Sequence, residues 1–459
     1  MTNNIILNAD SYKASHFLQY PPNTTHVSSY IESRGGKYEK ALFFGLQVFL
    51  KEYLTKAVTL ADVKEAEDFY GLHGVPFHKE GWLYIVNKHG GYLPLEIEAT
   101  EEGSVNNVKN VMAQVVNTDP ECFWLTSYIE TSILRAIWYP TTVATLSYYC
   151  KQTIKEFLER TADNIDGLPF KLHDFGARGA SSTETASLGG AAHLVNFMGS
   201  DTLSGILTAN RYYKEKMAAF SIPAAEHSTI TSWGKENESN AYENMLDKFS
   251  GEGKLVAVVS DSYDLWNAID NIWGDELKQK VIDNGGTVVI RPDSGDPVEI
   301  VSKTLKKLMD KFGYKTNSKG FKLLPDYVRV IQGDGVSPDM IRSILFHLEL
   351  NGISADNLAF GMGGELLQKV DRDTLKFAMK ASAIKRNGEW NDVFKDPITD
   401  IGKRSKKGRL ALVQKGDNVE SVRLDKLDGE ENLLKTVYKN GELLKESTLS
   451  EVRERANSY

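Results

Sequence analysis

Cysteine is nearly absent from the 459 residues. Cys122 and Cys150 are the two, too few for a disulfide framework and without the paired spacing of a zinc site. A reducing compartment is the expectation. No stretch approaches the roughly eighteen consecutive apolar residues of a membrane-spanning helix. The N-terminal sequence MTNNIILNAD lacks the basic start and apolar run of a secretion signal, so the expected location is cytoplasmic. An excess of positive charge is also missing: 54 Lys and Arg stand against 62 Asp and Glu, a net −8. No general field draws in nucleic acid or anionic lipid, and an anionic ligand must be held by a local cluster. What is present is ordinary, since 41% hydrophobic and 25% charged residues argue against a disordered or fibrous chain. At roughly 150 residues per domain the length allows two or three domains, or one large barrel with additions.

Residues 1–165 read as mixed α/β with no repeat and no low-complexity linker. Thr118-Asp119-Pro120-Glu121 offers a polar cap, a proline near the first helical position and a glutamate three residues after the threonine. An apolar series follows through Trp124, Leu125, Ile129, Ile133 and Leu134, so a helix is expected to start there. Tyr139-Pro140 is expected to break it, and Val143 to Leu158 to resume a helical pattern.

Between about 169 and 364 the texture changes, because short apolar runs repeatedly end in polar or glycine-rich turns. Phe170–His173 leads into Asp174-Phe175-Gly176, Leu194–Phe197 into Gly199-Ser200-Asp201, and Ser221–Ala225 into Glu226-His227. Leu255–Val259 leads into Ser260-Asp261, Thr287–Ile290 into Arg291-Pro292-Asp293, Val328–Ile331 into Gln332-Gly333-Asp334, and Leu358–Phe360 into Gly361-Met362-Gly363-Gly364. Helix-sized segments such as Val298–Phe312 and Pro338–Leu350 separate most of them. Repeated strand–helix units predict a parallel sheet covered on both faces. A closed barrel places every strand's C-terminal end on one rim, whereas an open doubly wound sheet tends to use one crevice; seven loaded turns favour the barrel. Residues 166–379 are the expected barrel domain. The tail, 380–459, has a basic stretch and alternating short strands and is expected to pack with the N-terminal part.

The rim would gather Asp174, Phe175, Arg178, Asp201, Glu226, His227, Asp261, Arg291, Asp293 and Asp334 with glycines 333, 361, 363 and 364. Glycine amides can hold a phosphate, Arg178 and Arg291 can grip further phosphate oxygens, and carboxylates suit ribose hydroxyls, Mg²⁺ or a developing positive charge. A phosphorylated sugar with a second anionic group is the implied ligand. Taken singly, each feature has an ordinary structural reading. Gly361-Met362-Gly363-Gly364 and Asp293-Ser294-Gly295 read as turns, Phe175 as a core aromatic, His227 as a hydrogen-bonded structural histidine, and Lys403–Arg409 as a solvated face. Only their co-location supports the functional reading.

At these residues the sequence resembles the nicotinamide phosphoribosyltransferases over nearly its whole length. The strings that carry the resemblance include Gln19–Thr24, Asn117–Cys122, Lys171–Gly176, Pro223–Thr229, Val259–Asp264, Ile290–Gly295, Ile331–Gly335 and Lys403–Leu410. The resemblance implies an irregular α/β barrel of the type II phosphoribosyltransferase kind, with a second α+β domain formed from both chain ends, acting as a homodimer. It implies transfer of 5-phosphoribosyl from 5-phosphoribosyl 1-pyrophosphate to nicotinamide with Mg²⁺, and ATP as co-substrate. Phe175 and a partner copy's Tyr12 would sandwich the nicotinamide, with Asp201 accepting from its amide. Arg291, Asp293, Gly333, Asp334, Gly363, Gly364 and Arg372 would hold ribose and 5′-phosphate, while Arg178, His227 and Arg291 would face pyrophosphate. Arg34, Lys380 and Lys395 would reach the phosphates across the dimer. His227 would be transiently phosphorylated, oriented by Glu226 and Asp261, and Asp261 with Asp293 would hold Mg²⁺. Against the vertebrate-like pattern, Ala177, Ala378 and Glu365 are departures; the added negative charge of Glu365 beside the glycine turn is expected to weaken 5′-phosphate binding unless its side chain points away or pairs with Lys369, four residues on. The competing readings are a nicotinate phosphoribosyltransferase, which Asp201 argues against, a non-catalytic nucleotide-binding relative, and an unrelated sugar-phosphate barrel enzyme, which would need a Schiff-base lysine or a metal-binding histidine cluster at a strand end.

Overall fold

The computed structural model describes residues 4–399 and 403–459; the first three residues of the stretch read for a secretion signal lie outside the described residues. Two compact units emerge. One is built from Met1–Thr145, Arg211–Glu215 and Asp371–Tyr459, the other from Leu146–Asn210 and Lys216–Val370. The boundaries therefore differ from those expected at 165/166 and 379/380. The first falls inside a single helix, Glu130–Thr161, and Asp371 to Met379 go with the chain ends because the strand Phe377–Arg386 pairs there.

The second unit is a ring of parallel strands. Leu172–Asp174, Gly199–Ser200, Leu255–Val259, Thr287–Arg291, Val328–Gln332 and Leu358–Met362 follow one another around the ring in chain order; each pairs in parallel with the next except Gly199–Ser200 with Leu255–Val259, and the last pairs with the first. Residues 220–225 close the remaining gap through isolated parallel bridges, Phe220 to Gly199 and Ala224 to Ala257. The bonds are Ser200 N–H to Phe220 O at 3.2 Å, Ala257 N–H to Pro223 O at 2.9 Å and Ala225 N–H to Ala257 O at 2.9 Å. Pro223 has no N–H to give, which keeps this seventh rung short. The central strands are buried (Val256–Val259, Val288–Ile290, Val330–Gln332), as expected for strands covered on both faces. Helices Pro297–Phe312 and Pro338–Leu350 start on Asp296 and Ser337 caps with proline in the first turn, matching the segments expected from the sequence.

Two local expectations are corrected. The run Leu194–Phe197 is not a strand: Leu194 caps the helix Thr183–His193, the N–H groups of Asn196 and Phe197 both bond to His193 O, and the strand is only Gly199–Ser200. Nor does Pro140 end its helix, which runs unbroken from Glu130 to Thr161. Thr141 Oγ1 exchanges hydrogen bonds with Phe44 N and O (3.2 and 3.1 Å) and Thr145 Oγ1 accepts from Leu42 N at 3.0 Å. These tertiary bonds hold the turn past the proline, where local propensity alone predicts a break.

The first unit carries a seven-stranded antiparallel sheet in the order Glu389–Asp392, Phe377–Arg386, Thr24–Ser33, Val111–Asn117, Leu95–Ala99, Lys435–Lys439, Glu442–Leu443. Both chain ends thus build one α+β unit. Val111–Asn117 is buried at every position. Of its two carboxamides, Gln114 donates to Glu98 Oε2 at 2.9 Å and accepts from Leu410 N at 2.8 Å, and Asn117 accepts from Val27 N at 2.8 Å and donates to Thr25 O at 2.8 Å, so neither leaves an unpaired polar group in the core. Asp119, in the stretch expected to cap a helix, is the N-cap of the turn Pro120–Cys122; it accepts from Glu121 N at 2.9 Å and also from His89 Nε2 at 2.8 Å and Tyr84 OH at 3.0 Å. Burial would raise its pKa, but these donors prevail and hold it down at about 2.

The short Arg211–Glu215 segment joins the first unit through a buried carboxylate. Tyr213 OH donates to Glu102 Oε2 at 2.6 Å and Gln47 N–H to Oε1 at 2.7 Å, and all three side chains are buried. Removing one donor strands a buried oxygen, so Tyr213→Phe is expected to lower the unfolding free energy by about 1–3 kcal/mol, read as a shifted urea midpoint. An unchanged midpoint would show that this bond is not what holds the segment.

Candidate active site

The polar turns after the ring's strands lie on one rim, and the cavity there measures about 250 Å³. Phe175, Arg178, Arg291 and Asp293 line it with Gly333, Gly363 and Gly364. Phe175 follows the strand Leu172–Asp174 and donates its N–H to Met362 O at 2.9 Å. Its ring lies across the next strand's backbone: a Cβ on Gly361 would fall 1.9 Å from Phe175 Cε2, and one on Gly333 3.2 Å from it. Glycine at 361 is therefore required by the ring, not by a turn. Arg291 ends the strand Thr287–Arg291, and its Nε is buried with no hydrogen-bond partner, a donor available to an anionic ligand. Asp334 is exposed, and its carbonyl accepts from Gln332 Nε2 at 2.7 Å.

Asp201 follows Gly199–Ser200. Its Oδ1 accepts from His173 Nε2 at 3.1 Å and from Ser221 Oγ. Burial would raise its pKa, but these two donors outweigh it and hold the carboxyl below its ordinary range. Asp174, two residues before Gly176, is fully buried and accepts from Gly176 N at 2.7 Å, while its Oδ2 has no partner. Burial pushes this carboxyl up to about 6.

His227 opens the short helix His227–Thr231. Nδ1 is 3.0 Å from Ser262 Oγ, and Nε2 is 3.4 Å from Asp293 Oδ2 and 3.8 Å from Asp261 Oδ1. Asp261 Oδ2 accepts from Asp293 N at 2.9 Å and from Ser294 Oγ, whereas Oδ1 is buried and unbonded. Asp261 and Asp293 thus present hard oxygen donors that fit a magnesium ion carried with substrate phosphates. Glu226, expected to orient the imidazole, instead accepts from Ser228 Oγ, and its N–H donates to Thr229 Oγ1 at 3.2 Å; it fixes the helix start. Sequence reasoning missed His173, Ser221, Ser262 and Ser294. Each stood within or beside a motif already singled out; for His173, Ser262 and Ser294 adjacency to a named acid was the available signal, whereas Ser221 had none in the sequence.

The remaining expected residues belong to the first unit. Arg34, Arg372, Lys380 and Lys395 line a cavity of about 230 Å³ together with Lys403 and Glu130. Arg372, grouped from the sequence with the ribose-binding residues, thus shares a cavity with the basic cluster, and Lys403 was named only as part of a run. Burial, together with Arg34, Lys395 and Arg372, lowers the Lys380 pKa, against the opposing pull of Glu130. Ala378 also lines this cavity. Tyr12 is largely exposed, edge-on to His16 at 4.9 Å. Glu365 pairs with Lys369 Nζ, just past the short helix Gly364–Leu367, so its charge is met by a lysine four residues on.

Comparison with known proteins accounts for this arrangement. Residues 170–442 match the nicotinate phosphoribosyltransferase (NAPRTase) family, and residues 4–97 match the nicotinamide phosphoribosyltransferase N-terminal domain. The chain belongs to the nicotinate phosphoribosyltransferase family. It is 53% identical over 462 residues to the nicotinamide phosphoribosyltransferase of Xanthomonas campestris pv. campestris, covering 99% of this chain and 98% of that one. To the enzyme of the same name from Acinetobacter baylyi it is 33% identical, with 98% and 96% covered. The fold is similar to that of nicotinate-nucleotide pyrophosphorylase from Pyrococcus furiosus (TM-score 0.64, 16% identity, 100% and 96% covered). It is also similar to that of human nicotinic acid phosphoribosyltransferase (TM-score 0.58, 15% identity, 98% and 92% covered). The protein is thus a phosphoribosyltransferase, with the family's barrel at the site described.

Asp174 gives this barrel a pH signature. Below its ordinary pKa of 3.8 both folded and unfolded chains hold the proton; between there and about 6 only the folded chain does. Unfolding then releases a proton, so the Asp174 contribution to stability falls as pH rises through that window. Asp174→Asn keeps an acceptor for Gly176 N and removes the ionisation. The stability of the variant relative to the native protein should rise between pH 4 and pH 7 by up to about 3 kcal/mol, followed by denaturant titration at each pH. A flat difference would mean that Asp174 does not carry its proton in the folded barrel.

Proposed function

We propose that this phosphoribosyltransferase joins nicotinamide to 5-phosphoribosyl 1-pyrophosphate, giving nicotinamide mononucleotide and pyrophosphate in NAD biosynthesis. The observation that carries the choice of base is Asp201, an acidic carboxylate fixed by two donors on the rim it shares with Phe175. Such a group accepts a hydrogen bond from a carboxamide N–H₂ and repels the carboxylate of nicotinate. The 53% identity to an enzyme of that name supports the same reading.

The pyridine nitrogen is itself the nucleophile, so the site needs no general base. Phe175 offers its face to the ring, and stacking contributes about 0.5–1.5 kcal/mol beyond area burial. Arg178, Arg291 and His227 hold the leaving pyrophosphate, while Gly333, Asp334, Gly363 and Gly364 bear on ribose and 5′-phosphate. Departure of pyrophosphate leaves positive charge on the ribose, which nearby carboxylates such as Asp293 stabilise more in the transition state than in the ground state. Asp261 and Asp293 would hold Mg²⁺, which supplies charge neutralisation of the pyrophosphate. Tyr12, Arg34, Lys380 and Lys395 would act from the second copy of a homodimer, as the family resemblance implies. ATP stimulation is part of the proposal: with Nδ1 engaged by Ser262, Nε2 of His227 is the nucleophile that takes the γ-phosphoryl group, releasing ADP.

The test is product formation with 5-phosphoribosyl 1-pyrophosphate, Mg²⁺ and either base, with and without ATP. Nicotinamide alone should be consumed, and faster with ATP; turnover of nicotinate instead would overturn the assignment. Asp201→Ser should reduce the preference for nicotinamide by at least about tenfold, the order expected for losing a charged hydrogen-bond partner. Acid-labile phosphate should appear on the protein after ATP exposure and vanish in His227→Ala; ATP hydrolysis surviving in that variant would remove the histidine from the ATP step.

A further inference from the structure

His173 is held in place by an unusually bare neighbour. The strands Leu172–Asp174 and Gly199–Ser200 pair in parallel with His173 opposite Gly199. A Cβ on Gly199 would fall 2.6 Å from His173 Nδ1, so the imidazole occupies the space that any other residue at 199 would fill. The ring is 5.2 Å from that of Phe175, tilted by 53°, and its Nε2 points at Asp201 Oδ1, 3.1 Å away. Ser221, on the segment that closes the ring of strands, donates its hydroxyl to the same Oδ1. The His173 side chain is 15% exposed and that of Asp201 49%, so the pinned donor is inside and the carboxylate it steers opens outward.

Both donors engage one oxygen. A carboxylate at the rim with neither would be free to turn about its side-chain torsions and present either oxygen, or none, to a ligand. We infer that His173 and Ser221 are positioning residues for base selection: by occupying Oδ1 of Asp201 they leave Oδ2 as the acceptor offered to a carboxamide N–H₂ lying against Phe175. The inference rests on the reading of Asp201 as the carboxamide acceptor. Because the imidazole also touches Phe175, the plane of the stacked base and the direction of its amide bond are set by the same side chain. An imidazole N–H and a hydroxyl donated to Oδ1 keep Asp201 an acceptor only, which is the state that admits an amide and rejects an acid.

Steady-state kinetics of the full-length protein, with nicotinamide and nicotinate as separate substrates, tests this. His173→Leu should raise KM for nicotinamide about tenfold, as expected for a lost bond to a charged group, and narrow the preference for amide over acid. KM for 5-phosphoribosyl 1-pyrophosphate should stay where it is. His173→Gln, which places a donor near the position of Nε2, should recover most of the loss, and Gly199→Ala, which displaces the ring without removing a donor, should reproduce the His173→Leu defect. If His173→Leu fails to fold, Ser221→Ala decides alone, since Ser221 is exposed; a several-fold rise in KM for nicotinamide is expected. Equal rises for both substrates, or no rise in any variant, would overturn the inference. A native protein that turns over nicotinate but not nicotinamide would instead overturn the Asp201 reading on which it rests.

Discussion

Parallel pairing between consecutive strands is the constraint on which this site depends. A strand can lie parallel to its predecessor only if the chain first returns to the starting end, so every turn that follows a strand emerges on the same side. With the strands following one another around the ring in chain order from residue 172 to residue 362 and the last strand back against the first, acids and arginines from Asp174 to Asp334 come to one rim. The closing segment is the weakest rung, two bridges wide with Pro223 inside it. Yet Ser221 lies at its start and His227 just past its end. The ring could not bring Ser221 to Asp201 or His227 to Asp293 without that segment in place.

Close approach of side chain to backbone is the second device. Phe175 lies over Gly361 and His173 over Gly199, and in both cases the glycine is on a strand and not in a turn. A flat ring laid on bare backbone is fixed in plane by contact on one whole face, at less entropic cost than ordering a long flexible chain. The two rings and Asp201 are therefore oriented by strand register, which is rigid, and not by the rim loops. Binding groups placed on strand ends in this way keep their geometry better than groups placed on loops alone.

Much of this was legible in the sequence, and the exceptions have physical causes. Six of the seven apolar runs coincide with strands or with the closing segment, because an apolar run ended by a polar turn is the direct imprint of a buried parallel strand. Leu194–Phe197 misled because the same apolar texture continues a buried helix end. Pro140 misled because the hydroxyls that carry the helix past it, Thr141 and Thr145, bond to residues about a hundred positions away. The acids and arginines of the rim were readable as residue types; their partners were not, since His173 meets Asp201 and Ser262 meets His227 only through cross-strand register. The Arg211–Glu215 segment was invisible for the same reason: its allegiance to the first unit hangs on Tyr213 meeting a carboxylate more than a hundred residues earlier.

Two buried carboxylate oxygens without donors distinguish the rim from ordinary core. An unbonded buried oxygen costs about 1–3 kcal/mol, so each needs a physical reason to persist. Asp174 meets the cost by holding its proton up to about pH 6, which makes it a neutral support for the Phe175 turn under mildly acidic conditions. Asp261 is placed differently: its bare Oδ1 faces His227 Nε2, and the Asp293 carboxylate faces the same nitrogen from 3.4 Å. Two carboxylates converging on one imidazole nitrogen leave a locus of negative potential that suits a divalent cation arriving with a polyphosphate. A site for departing pyrophosphate and a nascent ribosyl cation needs this polarity, negative beside the sugar and receptive to a cation beside the leaving group. Arg291, whose Nε is equally unbonded, supplies the opposite sign on the same rim. The unmet hydrogen-bonding capacity of Asp261 and Arg291 is thus complementary to a ligand carrying both charges.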